Sequence, residues 1–177
     1  MRRTAHRTEP RADDSLVLDM ARYVPAMLIH ISNKMSTGAN ATYRRLFGVG
    51  VTEWRVLSQL AIEPDSPAQR ICEVIGFDKA IVSRVVKSLE ERGHVIVNAD
   101  RADSRRYRIS LTAKGQALHN RIIVVALERE RRLLSGLSER EIDQLCDLLG
   151  RLHAKVQFAN DYQPSGKGQE PNNRPAQ

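Results

Sequence analysis

Apolar residues recur at steps of three and four along most of the chain, which is the spacing of one face of an α-helix. The first such segment extends over residues 16–47, and Gly48 and Gly50 end it. Pro25 lies inside this segment and must either start a helix or kink one, because proline lacks a backbone N–H. The residues on the predicted helical face are Val17, Met20, Val24, Met27 and Ile31.

Three shorter helices are predicted between residues 52 and 92. The first has Thr52 as its N-cap and Glu53 in its first turn, and Pro64 stops it. Its buried side is predicted to hold Trp54, Leu57 and either Leu60 or Ala61.

The next two helices follow at once and each is closed by a glycine. One spans residues 66–75, with Ser66 as its cap and Pro67 at its first helical position. The other spans residues 79–92 and has Asp78 as its cap. Two helices joined by so short a turn predict a helix–turn–helix pair.

Residues 94–98 and 107–111 alternate between polar and apolar side chains, which is the pattern of a half-buried β-strand. The polar segment between them predicts the tip of a hairpin. The residues predicted to share the apolar faces of the two strands are Val95, Val97, Tyr107, Ile109 and Leu111.

Two further helices are predicted after the hairpin. Thr112 caps the first, which extends to about residue 134, and Ser138 caps the second, which extends to about residue 159. The last helix carries an a/d seam of the kind that pairs helices, formed by Ile142, Leu145, Leu149, Leu152 and Val156. This seam and the apolar face of residues 17–31 predict pairing with a second copy of the chain. The alternative is that the two faces cover each other within one chain.

The composition limits the kind of protein. The chain has 177 residues, of which 41% are hydrophobic, so a core is available. Its net charge of +7 suggests a polyanionic partner, either nucleic acid or an acidic membrane surface. No apolar run approaches the ~20 residues that span a bilayer, and no signal peptide is present, so we expect a cytoplasmic protein without membrane association. Residues 1–15, which are basic, and residues 161–177 are predicted to be disordered tails.

The two cysteines, Cys72 and Cys146, fall in helical patterns and are expected to be small buried apolar residues. Neither belongs to a CxxC pair, and no His/Cys cluster has zinc spacing, so no metal or cofactor is expected. The sequence also lacks a recognisable nucleophile–base set, phosphate loop or metal motif, which argues against an enzyme.

The predicted helix at residues 79–92 has a basic outer face. Helix–turn–helix proteins place such a face in the major groove of DNA, with the first turns at the base edges. A solvated surface helix is the usual explanation of an isolated basic face, but the preceding helix, the turn and the following hairpin favour DNA. The predicted contact residues on this face are Lys79, Ala80, Ser83, Arg84 and Lys87.

The hairpin tip adds a second basic element. It carries Arg101, Arg105 and Arg106, and arginine at a hairpin tip can enter a narrow minor groove. Asp103 is placed to pair with Arg105 and hold it extended, and all four are predicted DNA contacts. The helix and hairpin together predict a winged helix-turn-helix.

In combination these motifs resemble the multiple-antibiotic-resistance regulator (MarR) family. The resemblance covers about residues 16–156, and one departure is Ala102, where many members have arginine; Arg101 and Arg106 are available as substitutes. The matching segments are residues 51–57, 78–84, 89–93 and 111–115, with the D-x-x-D-x-R pattern of Asp100, Asp103 and Arg105.

The resemblance implies a mainly α homodimer of triangular outline. Residues 16–50 and 112–160 would form a helical dimerisation region, and residues 51–111 would form the winged helix-turn-helix lobe. Two such lobes would bind a pseudo-palindromic site in double-stranded DNA. Family members are often repressors that a small, frequently aromatic or phenolic, ligand releases.

An effector pocket would combine apolar walls with a few polar groups. Arg55 or His30 could hold a carboxylate, which would suit an aromatic acid or its thioester. Each candidate also has a simpler explanation in the core or at the dimer seam. The six candidates are Tyr23, Met27, His30, Tyr43, Trp54 and Arg55.

Two alternative functions remain open from the sequence. One is a regulator that senses redox state through Cys72 or Cys146, which needs an exposed and activated thiolate. The other is a winged helix that contacts a protein instead of DNA, and the basic outer face argues against it.

Overall fold

The computed structural model describes residues 8–10, 16–99 and 107–164. The chain divides within one long helix into two compact units, the first ending at Leu127 and the second beginning at Glu128. The elements formed by the described residues are β1 (Thr8–Pro10), β2 (Leu16–Leu18), α1 (Val24–Phe47), α2 (Val51–Ile62), α3 (Ala68–Ile75), α4 (Lys79–Glu91), β3 (Val95–Ala99), β4 (Tyr107–Leu111), α5 (Ala113–Leu133), α6 (Glu139–His153) and α7 (Val156–Asn160).

Helix α1 begins at Val24 with Pro25 in its first turn, so of the two alternatives for this proline the structure shows that it starts a helix, and the helical pattern predicted for residues 16–23 is wrong. Proline is tolerated in the first turn because the N–H that it lacks would have no intrahelical partner there, whereas a helix continuing from residue 16 would need it. Upstream, β2 pairs antiparallel with β1, which forms within the segment expected to be disordered. The other residues of that segment lie outside the described residues.

The first unit contains a winged helix-turn-helix, as the sequence predicts. Helices α2, α3 and α4 pack against one another, and β3 pairs antiparallel with β4, with Val95 opposite Leu111. Ser66 exchanges two backbone hydrogen bonds with Ile109, at N···O distances of 3.1 and 2.9 Å. The wing sheet is therefore extended at its base by one residue from the α2–α3 connection.

Two of the predicted helix caps are wrong by one or two residues. Gly50, and not Thr52, is the N-cap of α2. The N–H of Gly50 donates to the carboxylate of Glu53, and the N–H of Val51 donates to Asn40 Oδ1 at 3.2 Å. These side chains satisfy the start of α2, so a hydroxyl cap is not required. Pro67 likewise precedes α3 as its N-cap, because Ser66 is used by the sheet.

The core of the first unit lies between the three lobe helices, the wing strands, α1 and α5. Leu57 and Leu60 are buried as predicted, whereas Trp54 is half-buried. The largest fully buried side chains are Leu57, Leu60, Ile71, Leu89, Ile122, Val49, Val56 and Val82. The core therefore fixes α4 through its inner face and leaves its outer face in solvent.

The second unit contains the end of α5 and helices α6 and α7. Ser138 caps α6 as predicted, since its Oγ accepts from Glu141 N at 3.4 Å and the Glu141 carboxylate accepts from Ser138 N at 2.9 Å. A single helix to residue 159 is wrong, because α6 ends at His153 and a turn separates it from α7. Neither glycine nor proline marks this break, so no local sequence signal predicts it.

Within the described ranges, no helix is long and apolar enough to cross a membrane. The same residues contain no cluster of three or more His, Cys, Asp or Glu side chains able to hold a metal ion.

We expect Gly115→Ala to destabilise the protein strongly. A Cβ on Gly115 would overlap the backbone oxygen of His94 and lie 2.9 Å from its carbonyl carbon, and that oxygen also accepts a hydrogen bond from Thr112 N. Because backbone cannot move aside as a flexible side chain can, the cost should reach about 1–3 kcal/mol or more. Denaturant unfolding measures it.

Gly150→Ala is the matched control. Gly150 lies inside α6, and a Cβ there would have no atom within 4 Å. Alanine is the better helix former by about 0.8–1 kcal/mol, so this variant should be slightly more stable than the parent. Equal unfolding midpoints for the two variants would show that β3 and α5 are not in close contact at Gly115.

Candidate nucleic-acid interface

The outer face of α4 carries three exposed basic side chains, Lys79, Arg84 and Lys87. Val82, Val86 and Leu89 are buried on its inner face. The five residues predicted to contact DNA are all exposed on the opposite side, and they are Lys79, Ala80, Ser83, Arg84 and Lys87. The structure therefore brings these five residues together on one helix face.

The start of α4 is fixed by Asp78, as predicted. Its carboxylate accepts a hydrogen bond from Ile81 N at 2.8 Å, which satisfies one of the free donors of the first turn. Lys79 and Ser83 lie on the first two turns, where the side chains of a helix inserted end-on come nearest to the base edges.

The end of α4 is fixed by Arg92, which sequence reasoning missed. Arg92 Nη1 lies 2.9 Å from Glu53 Oε1 in α2, and Arg92 Nη2 donates to the carbonyl of Gly48, at the end of α1, at 3.2 Å. One guanidinium therefore ties the end of α4 to α1 and α2. The pairing of an arginine and a glutamate 39 residues apart leaves no local sequence signal.

His94 follows Arg92 by two residues in the sequence and is buried. Burial lowers the pKa of its imidazole, and the positive charges of Arg92 and Lys114 lower the pKa further. The imidazole is therefore neutral at neutral pH and adds no charge to this surface.

The base of the wing is attached to the α2–α3 connection. Arg108 Nη1 donates to the carbonyl of Asp65 at 3.1 Å, and Asp65 adopts a positive φ of 59°. The predicted contacts at the wing tip, Arg101, Asp103, Arg105 and Arg106, lie outside the described residues.

A cavity of about 490 Å³ lies beside α4, between the end of α1 and the start of α2. No sequence pattern predicts it, because its walls come from three separated segments. Its charged residues are Arg44, Glu53, Arg84 and Arg92. Its other lining residues are Asn40, Gly48, Gly50, Thr52, Ile81, Val85 and Ser88.

Comparison with known proteins agrees with this architecture. Residues 47–106 match the sequence model of the MarR family. The crystal structure of a MarR/EmrR family transcriptional regulator from Acinetobacter sp. ADP1 shares 40% sequence identity with this chain, over 78% of this chain and 98% of that one, with a TM-score of 0.74. The chain belongs to the MarR family of transcriptional regulators.

Two more distant MarR-like structures were solved with bound molecules. MepR of S. aureus, in a complex with DNA, is 23% identical over 75% of this chain and 96% of its own, with a TM-score of 0.66. CouR of Rhodococcus jostii RHA1, bound to p-coumaroyl-CoA, is 20% identical over 75% of this chain and 93% of its own, with a TM-score of 0.68. At these identities the likeness shows the shared fold.

Four of the six predicted effector residues of this MarR-family chain fall in two places. Tyr43 is buried with its ring 6.0 Å from that of Trp54, and Trp54 stacks on His119 at 5.3 Å. Met27 and His30 are exposed near the start of α1. None of the six candidates lines the cavity beside α4.

The remaining two candidates have different surroundings. Tyr23 is half-buried at the N-cap of α1. Arg55 donates to Ser36 Oγ at 3.0 Å, and its guanidinium lies 5.3 Å from the ring centre of Phe77. Packing across α1, α2 and the α3–α4 turn therefore holds the Arg55 charge in a defined position.

The cysteines differ from expectation in one case. Cys72 is half-buried against the core, whereas Cys146 is exposed. The expectation that both are buried is wrong for Cys146, because none of the residues of α6 is buried in the single chain.

Proposed function

We propose that the protein is a homodimeric repressor that binds a pseudo-palindromic site in double-stranded DNA and is released by a small effector. The observation that carries this proposal is the exposed basic face of α4, fixed at one end by Asp78 and at the other by Arg92. A rigid cationic helix of this kind matches the width and the negative potential of the major groove.

The contacts divide by position on the helix. Lys79 and Ser83 are at the first two turns and are proposed to meet base edges, whereas Arg84 and Lys87 have the length to reach phosphates. Ala80 lies between them, where its methyl group can contact thymine. At the wing tip, Arg101, Arg105 and Arg106, with Asp103 orienting Arg105, are proposed to grip the flanking minor groove.

Exposed apolar side chains support the proposed dimer. In α6 and α7, Leu149, Leu152 and Val156 are 41%, 46% and 51% exposed, respectively. In α1, Met27, Ile31 and Met35 are between 41% and 51% exposed. Helices with so much apolar surface in water are typical of subunit interfaces. The proposed dimerisation region is residues 16–50 and 112–160, with residues 51–111 as the DNA-binding lobe.

An aromatic carboxylic acid or its thioester is the proposed effector class. The positioned guanidinium of Arg55 offers a cation beside the ring of Phe77, and CouR, which shares the fold, was solved with a thioester of an aromatic acid bound to it. Tyr23, Met27, His30, Tyr43 and Trp54 are the other proposed contacts.

Mutations should distinguish contacts to base edges from contacts to the phosphate backbone. From random duplexes, the protein should select a pseudo-palindrome whose binding weakens as salt rises. Lys79→Ala and Ser83→Ala should change the preference among single-base variants of that duplex by about 1–3 kcal/mol at one base pair. Arg84→Ala should lower affinity more evenly and reduce the salt slope. Titrations at two salt concentrations measure both effects.

Arg140→Ala is the control, because it removes the same charge from an exposed position in α6. It should leave both base preference and salt slope unchanged. If only Arg84→Ala alters base preference, the helix enters the groove in another orientation. If the wild-type protein binds no duplex at all, the proposed function is wrong.

The dimer should have about twice the 20.0 kDa chain mass in light scattering. Leu149→Asp or Leu152→Asp would place an unpaired charge in the apolar seam, at a cost of roughly 3–5 kcal/mol, and should yield monomers. Gln144→Asp adds the same charge to an exposed polar position of α6 and should stay dimeric. Dimers in both leucine variants would show that the seam lies elsewhere.

The effector class can be tested by release of the selected duplex. We expect an aromatic acid such as p-coumarate, or its coenzyme A thioester, to release it, and Arg55→Gln to require about tenfold more of the same compound, which corresponds to about 1.4 kcal/mol. Aniline-type amines of the same size should have no effect. Release that is equal in Arg55→Gln and wild type would exclude Arg55 as the carboxylate contact.

A further inference from the structure

The cavity beside α4 has an unusual distribution of charge. Three arginines and one glutamate line it. The glutamate is fully engaged, because Glu53 accepts from Arg92 at 2.9 Å and from the N–H of Gly50. Asn40 accepts from Val51, so the N–H groups of both Gly50 and Val51 already have acceptors within the protein.

Arg44 and Arg84 supply the positive charge that remains. Both are exposed, and among the described residues neither has an ion-pair partner. Arg84 uses only its Nε in an internal contact, to the carbonyl of Ala80 at 3.3 Å. A Cβ on Gly50 would lie 3.1 Å from Arg44 Nη2. The lack of a side chain at Gly50 therefore leaves room for the Arg44 guanidinium.

The cavity is continuous with the face of α4 that is proposed to enter the major groove. Ile81, Arg84, Val85 and Ser88 form one stripe at steps of three and four, and this stripe lines the cavity. Arg84 also belongs to the outer face. When a helix lies in the major groove, a sugar–phosphate backbone rises along each of its flanks. The cavity flanks α4 on one side, directly where a backbone would pass.

We propose that this cavity receives a phosphodiester of the bound duplex, held between Arg44 and Arg84. The inference rests on the proposed DNA binding and adds Arg44, from the end of α1, to the contacts. Two arginines that line one open cavity suit phosphate oxygens, which accept paired N–H bonds. The contact would fix the position of α4 along the groove without reading sequence.

Arg44→Ala and Arg45→Ala form a matched pair for the test. Both residues are exposed and lie in the last turn of α1, so both removals disturb the helix end equally, but only Arg44 lines the cavity. On the selected duplex, Arg44→Ala should lower affinity about tenfold at low salt and reduce the salt slope by about 1. Arg45→Ala should do neither, and both variants should unfold at the wild-type temperature.

Neutral phosphate substitutions locate the contact. Single methylphosphonates placed along the duplex backbone each remove one charge. At one position, the methylphosphonate should strongly weaken duplex binding by the wild type and by Arg45→Ala. It should leave binding by Arg44→Ala unaffected, because that variant has already lost the arginine that contacts this phosphate. The proposal is overturned if every methylphosphonate affects Arg44→Ala and Arg45→Ala alike, or if the two variants have the same salt slope.

The two proposals fail in different ways. Absence of salt-dependent binding by the wild-type protein would remove the proposed function itself. Normal wild-type binding, with Arg44→Ala equal to Arg45→Ala, would leave DNA binding intact and exclude only the phosphodiester in this cavity.

Discussion

The ion pair between Arg92 and Glu53 holds α4 against the helices that precede it in the lobe. It joins the end of α4 to the start of α2, and the same guanidinium bonds the end of α1 through Gly48. Ion pairs in water contribute little, but the Glu53 side chain is only 13% exposed and has a second hydrogen bond from Gly50 N. Loss of Arg92 would leave that carboxylate shielded and unpaired, so the orientation of α4 depends on this contact.

The wing depends on a comparable constraint at its base. The carbonyl of His94 accepts from Thr112 and touches Gly115, so β3 and the start of α5 approach as closely as backbones can. On the other edge, Ser66 extends the sheet through Ile109. The hairpin base is therefore held from both sides, and its direction relative to α4 is set by backbone contacts that do not depend on the arginines of the tip.

The sequence predicted those parts of the fold whose signals are local. The cap at Asp78, the glycine after Phe47 and the alternation over residues 95–98 in β3 each reflect a few neighbouring residues, and all were found. The alternation predicted for β4 was not found, since Tyr107 is 61% exposed. The apolar spacing continued across Pro25, so the sequence left open whether this proline starts a helix or kinks one, and the structure shows that it starts α1. Arg92 with Glu53, and Arg44 with Arg84, come from segments far apart in the chain, so only the folded structure brings them together. The exposed face of α4 could be predicted, whereas the cavity beside it could not.

Among the described residues, the exposed leucines of α6 and the exposed arginines of α1 and α4 favour different kinds of contact. Exposure of the α6 leucines to water is unfavourable, which favours their contact with an apolar surface such as a second copy. The arginines beside and on α4 are well hydrated alone and gain most from displacing counterions on a polyanion. If the leucines pair with a second copy and the arginines bind a polyanion, dimerisation joins two cationic lobes. Once the first lobe is bound, the second lobe then binds the same polyanion at a high effective concentration. In the proposed dimer, an effector that changed the distance between the two lobes would weaken both contacts at once.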